Sequence, residues 1–223
     1  MGIISLDHID NLYWLGRYTE RVYTTLRLYF RSYDVMIDLL GEHYKAFCDD
    51  LDIPDIYGSA DEFRARYPFD TEDPNSIISN LTRAYDNSII MRELLGSDAL
   101  SYIQIALYDI QKAKVSPAPL VPLQEVIDHI LAFWGIMDDK VDNAQIRDAI
   151  KTGKRIERID LYARLKMDGA EIIRELGRLR PRVELSGMRY HKKYLDEIEE
   201  LAKSEVIDYY RIVDLIENLI IMG

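Results

Sequence analysis

Apolar residues recur along this chain at helical spacing. With Arg17 at the origin of a wheel and about 100° per residue, Leu15, Val22, Leu26, Tyr29, Tyr33, Ile37 and Leu40 fall in one sector. The stretch from Asp7 to Leu40 holds no Pro and one Gly, which predicts a core-facing helix of roughly nine turns. Residues 42–59, EHYKAFCDDLDIPDIYGS, lose the pattern and read as a connection. Ser59 can cap a short helix ending before Pro68, and TEDPNSIISN opens another that runs to Leu95. Gly96-Ser97-Asp98 reads as a helix stop and restart, and the next helix runs to Lys114.

Residues 116–122, SPAPLVP, read as a non-helical linker because prolines remove backbone donors and clash with a preceding turn. Beyond it the pattern predicts a helix from Leu123 to Asp139, a long one from Asn143 to Arg180 stopped by Pro181, and two more separated near Lys203-Ser204. No segment alternates with period two for long enough to suggest a sheet. The expected fold is all-α: an elongated helical bundle spanning 1–223 as a single domain, with a first half 1–115 and a second half 123–223.

The two long helices resemble each other. NLYWLGRYTERVYTTLRLY (11–29) aligns with DAIKTGKRIERIDLYARLK (148–166) at a constant offset of 137 positions. Gly16 pairs with Gly153, Glu20 with Glu157, Arg21 with Arg158, Arg27 with Arg164 and Leu28 with Leu165; Arg17 and Lys154 preserve charge. A Gly inside a helix costs about 1 kcal/mol relative to Ala, so its recurrence suggests close approach of a neighbour. Arg17, Glu20, Arg21, Thr24, Arg27 and Arg31 form a polar stripe roughly opposite the main apolar one, and Lys154, Glu157, Arg158 and Arg164 repeat it. Such a stripe can be a solvated face laced with ion pairs. Tyr13, Trp14, Leu28, Leu161 and Leu165 border it, however, which favours a half-buried seam between helices. On that reading Glu20 and Glu157 are buried and meet arginines from the other half or from the Asn87–Arg92 region. The two long helices should also superpose about a pseudo-two-fold axis.

Composition narrows the chemistry. The chain has 28 Lys and Arg against 39 Asp and Glu, a net charge of −11, which disfavours a phosphate-backbone binder. The single Cys48 excludes an intrachain disulfide framework and any multi-cysteine zinc site, and its acidic neighbours disfavour a thiolate. His8, His43, His129 and His191 do not supply the Glu-x-x-His spacing of a di-metal bundle, and no Gly-rich phosphate loop precedes a helix. No cofactor or metal is therefore expected. The N-terminal MGIISLDHID lacks the basic and long apolar regions of a secretory leader, and charges interrupt the apolar tail. The expected setting is the cytoplasm, without a membrane span.

NLYWLGRYTERV, with its echo GKRIER, resembles the alpha-E domain family, whose members are helical, carry a Glu-Arg motif and typically occur as a tandem duplication. DNSIIMRELLGSDALSYIQ (86–104) is similar to the family's middle segment in keeping Asn87, Arg92 and Glu93, although Leu100, Ile89 and Gln104 stand where Trp, Arg and Asn are expected. Residues 133–158 are similar to the lead into the second motif, with Arg147 in place of Trp. The resemblance implies an accessory or binding protein beside ATP-grasp ligase-like and transglutaminase-like partners, in peptide or amide synthesis or modification. Candidate binding residues are Arg17, Glu20, Arg21, Arg27, Asn87, Arg92, Lys154, Glu157, Arg158 and Arg164. The alternative is an enzyme acting on a peptide or amide, with Glu20 or Glu157 as acid and base.

Overall fold

A computed structural model describes residues 6–38 and 43–221. Its helices are α1 (Leu6–Asp38), α2 (His43–Leu51), α3 (Ala60–Arg66), α4 (Ile77–Ile90), α5 (Arg92–Lys114), α6 (Leu120–Lys140), α7 (Ala144–Arg164), α8 (Gly169–Leu185), α9 (Lys192–Lys203) and α10 (Tyr209–Glu217), with a 3-10 turn at Tyr67–Phe69. Among the described residues the one β pairing is an isolated bridge between Tyr190 and Ile220. The fold is all-α.

Side-chain caps start most helices after α2. Ser59 accepts from the Glu62 amide, Ser76 from Ser79, Asn143 from Gln145 and Ile146, Asp168 from Ala170, and Asp208 from Arg211. Each cap satisfies amide donors that the first turn leaves without an acceptor.

Several boundaries differ from the pattern, each for a local reason. Residues 43–51 are helical, not a connection: Tyr44, Phe47, Cys48 and Leu51 lie on one face and are buried. A break at Met91 separates α4 from α5, where its amide donates back to the Asn87 carbonyl. At Gly96 φ is +79°, so the expected stop and restart appears as a kink inside α5. The Pro-rich stretch is helical from Leu120, since Pro122 occupies a first turn whose amides need no partner within the helix. The long second helix is interrupted after Arg164. Lys166 takes a left-handed conformation, φ +50°, and the Lys166 and Met167 amides return to the carbonyls of Ala163 and Tyr162. Pro181 sits inside α8, whose last turn is held by buried Val183 and by the Ser186 amide on the Arg182 carbonyl at 2.9 Å.

Leu15, Val22, Leu26 and Tyr29 face the core as the wheel predicts. The Ile37 side chain and Leu40 lie outside the described part. One apolar cluster joins α1 to α6 with Ile146, Ala149, Ile150 and Leu161 of α7. A second joins Tyr13 of α1 and Ile156, Ile159 and Ala163 of α7 to α8, α9 and α10. The seam between α1 and α7, the most extensive helix pairing, therefore lies where both cores meet. Helix α6 alone among the described residues is long and apolar enough to cross a membrane, yet Leu123, Val126, Ile130, Phe133 and Met137 are buried in the first core.

Candidate functional site

The seam is close because two glycines cross in it. A Cβ on Gly16 would run into the carbonyl oxygen of Ile150, and one on Gly153 into that of Tyr13. Both contacts obey the 137-position offset, so each helix presents its glycine to the equivalent carbonyl of the other. Backbones at this distance bring side chains one turn further along into each other's reach.

There the Glu-Arg dipeptides cross. Arg158 donates from Nε to Glu20 Oε1 at 2.6 Å and from Nη2 to Glu20 Oε2 at 2.9 Å. In the reverse direction Arg21 Nε donates to Glu157 Oε1, and Arg17 Nε donates to Glu157 Oε2 at 2.6 Å. Thr24 adds a hydroxyl to Glu20 Oε1 at 3.0 Å. Glu20 is 0% exposed and Glu157 1%, so both carboxylates are withdrawn from water and compensated by the opposite helix. Burial pushes the Glu157 carboxyl up, but the guanidinium groups of Arg17 and Arg21 outweigh it and hold it below the usual carboxylate range. Arg17 itself is buried, 5.2 Å from the Trp14 ring centroid, with Nη1 donating to the Tyr13 hydroxyl at 3.3 Å.

The remaining candidates divide. Arg164 joins through Asp160, donating from Nε at 2.9 Å, and also reaches Asp52 at 2.9 Å and Glu217 at 2.7 Å. Arg27 does not join; it is exposed and donates to the Tyr23 hydroxyl at 2.8 Å. Asn87 is half-buried on α4 and Arg92 is exposed at the start of α5. The arginines that meet Glu20 and Glu157 come from α7 and α1, not from this region. Lys154, the counterpart of Arg17, meets no carboxylate at ion-pair distance among the described residues and lies with Nζ 3.8 Å from the Trp134 ring centroid.

Of the buried carboxylates that escaped the sequence reading, Asp160 and Glu175 are the most deeply buried. Asp160 is 0% exposed, with Oδ2 3.6 Å from the Nη2 atoms of Arg17 and Arg21 and without a hydrogen bond. Burial, and then the neighbouring Glu157 charge, push it up to about 6. The offset of 137 places it opposite Tyr23, so the repeat conceals it; its position three residues after Glu157 and four before Arg164 was the available signal. Glu175 sits within the apolar stripe Ile172, Leu176, Leu179 of α8 and is held by Arg155 at 2.5 Å and Arg178 at 2.6 Å. A cavity of about 160 Å³ opens beside the seam, with Arg21, Thr25, Tyr67 and Arg164 in its wall.

Residues 8–197 match the model of the Alpha-E family, described as a predicted alpha-helical domain with a conserved ER motif. The chain belongs to the Alpha-E family. Its Glu-Arg dipeptides are Glu20-Arg21 and Glu157-Arg158, and in this Alpha-E chain each glutamate is bound by the arginine of the other dipeptide. No curated protein and no solved structure matches the chain.

Proposed function

We propose that this Alpha-E chain is a non-catalytic binding component of a peptide or amide synthesis or modification system. Its partner would be an ATP-grasp ligase-like or transglutaminase-like protein in the cytoplasm. The observation that carries the reading is the mutual engagement of the Glu-Arg dipeptides. A general base must reach its proton at hydrogen-bond distance and titrate near the working pH. Glu20 and Glu157 are buried, each carries arginine on both oxygens, and Glu157 is held in its charged form. The alternative of acid–base catalysis by either glutamate has correspondingly little support. The dipeptides act on this reading as a clasp that fixes α1 against α7, and the reading of two pseudo-repeated halves draws on the reciprocity of that clasp.

A net charge of −11 favours a protein partner with a basic patch over a nucleic acid. Mixing the purified chain with ligase-like and transglutaminase-like proteins of such a system, then measuring mass by light scattering and ligase turnover, tests the proposal. A stable complex or a changed turnover is expected. No complex, together with intrinsic turnover of a small amide by this chain alone, would contradict it.

A further inference from the structure

The asymmetry between Arg17 and Lys154 leaves a cation without a carboxylate. Glu157 divides its oxygens between Arg17 and Arg21, whereas Glu20 gives both of its oxygens to Arg158. Lys154 is thus displaced onto the face of Trp134, at the edge of a cavity of about 240 Å³ between α6, α7 and α8. Trp134 also lines this cavity; it is 7% exposed, and its buried indole N–H has no acceptor.

Charge accumulates here against the trend of the chain. Lys151, Lys154, Arg155, Arg178 and Arg182 line the cavity. Lys151 pairs with Asp138 and Arg182 with Asp148, while Arg155 and Arg178 share Glu175, so five cations meet three carboxylates. Arg178 and Arg182 are half-exposed, which keeps the cavity open to solvent. Its volume lies below the roughly 300–1,000 Å³ of pockets for drug-sized ligands and suits a small anion.

We propose that this cavity is a binding site for a phosphate dianion, free or as the phosphoryl end of a small molecule, held by Lys154 and Arg155. The excess of cationic side chains over carboxylates favours an anion, and the Lys154 amine, which has no carboxylate partner among the described residues, is available to a phosphate oxygen. Burial lowers Lys154 to about 7, and a bound dianion would restore its proton. The proposal does not depend on the partner reading above.

Isothermal titration of the full chain with inorganic phosphate, at ionic strength fixed with chloride, tests it. One saturable site is expected, with acetate binding at least tenfold more weakly. Lys154→Met and Lys154→Gln should each lower phosphate affinity at least tenfold. Lys203→Met, at an exposed lysine paired with Glu199, should leave it unchanged. Absence of saturable phosphate binding, equal affinity for acetate, or insensitivity to both Lys154→Met and Lys154→Gln would overturn the site. If Lys154→Met fails to fold, Lys154→Gln decides alone.

Discussion

Arg158 grips both carboxylate oxygens of Glu20, at 2.6 and 2.9 Å, from a position 138 residues further along the chain. In the reverse direction Arg21 donates to one oxygen of Glu157 and Arg17 to the other. A buried carboxylate without its partner carries a large desolvation cost, so neither glutamate can be understood from its own helix. The clasp also depends on the glycines beneath it, because only a close crossing lets an arginine fork reach across.

That dependence is measurable. Gly16→Ala or Gly153→Ala would push a methyl group into the opposing carbonyl, where backbone must move. Each should cost about 2–3 kcal/mol in urea unfolding. Gly177→Ala in α8, with nothing within 4 Å of the added methyl, should instead gain about 0.5–1 kcal/mol. Equal responses at the three positions would contradict the close crossing.

Asp160 predicts a pH signature. A carboxyl pushed up on folding binds its proton more tightly in the native state. Its contribution to stability is full below the unfolded value of about 3.9 and is lost as pH rises through about 6. Asp160→Asn removes that loss. Relative to wild type, the variant should be more favoured at pH 7.5 than at pH 4, by on the order of 2 kcal/mol. Parallel stability curves from denaturant titrations across this range would show that Asp160 does not carry the shift.

Cys48 is buried in the first core, and burial, with Asp55, Asp49 and Asp73 nearby, pushes its thiol up to about 12. A thiol without thiolate character and without access reacts slowly. Aromatic disulfide reagents at pH 8 should label it only as the chain unfolds. Stoichiometric labelling of the folded protein within minutes would place it elsewhere.

The all-α fold was legible because α1 carries long apolar periodicity and because Ser59 and Ser76 stand as cap residues before α3 and α4. The seam was legible because Gly16 and Gly153 mark the same step of a repeated motif. What stayed hidden depended on tertiary context. Helix α2 is short and preceded by Glu42, with no Ser, Thr, Asp or Asn to mark its start as Ser59 marks α3, and a non-glycine residue at the left-handed position Lys166 gives no stop signal. Pro122 and Pro181 mislead because prolines are tolerated in a first turn and near a helix end with a packed face. Asp160 and Glu175 are carboxylates set among apolar positions, and only their arginine partners explain them. That Lys154 lacks such a partner follows from how Glu20 spends its two oxygens, which no alignment of the two helix sequences contains.

The central claim is that the Glu-Arg dipeptides clasp α1 to α7, and a double-mutant cycle on Glu20 and Arg158 tests it most directly. Glu20→Ala alone should cost about 3–5 kcal/mol, since it strands a largely buried guanidinium, and Arg158→Ala should cost a similar amount. The double variant Glu20→Ala/Arg158→Ala should recover a coupling energy of about 2 kcal/mol or more in urea unfolding. Additive losses, with coupling near zero, would contradict the clasp.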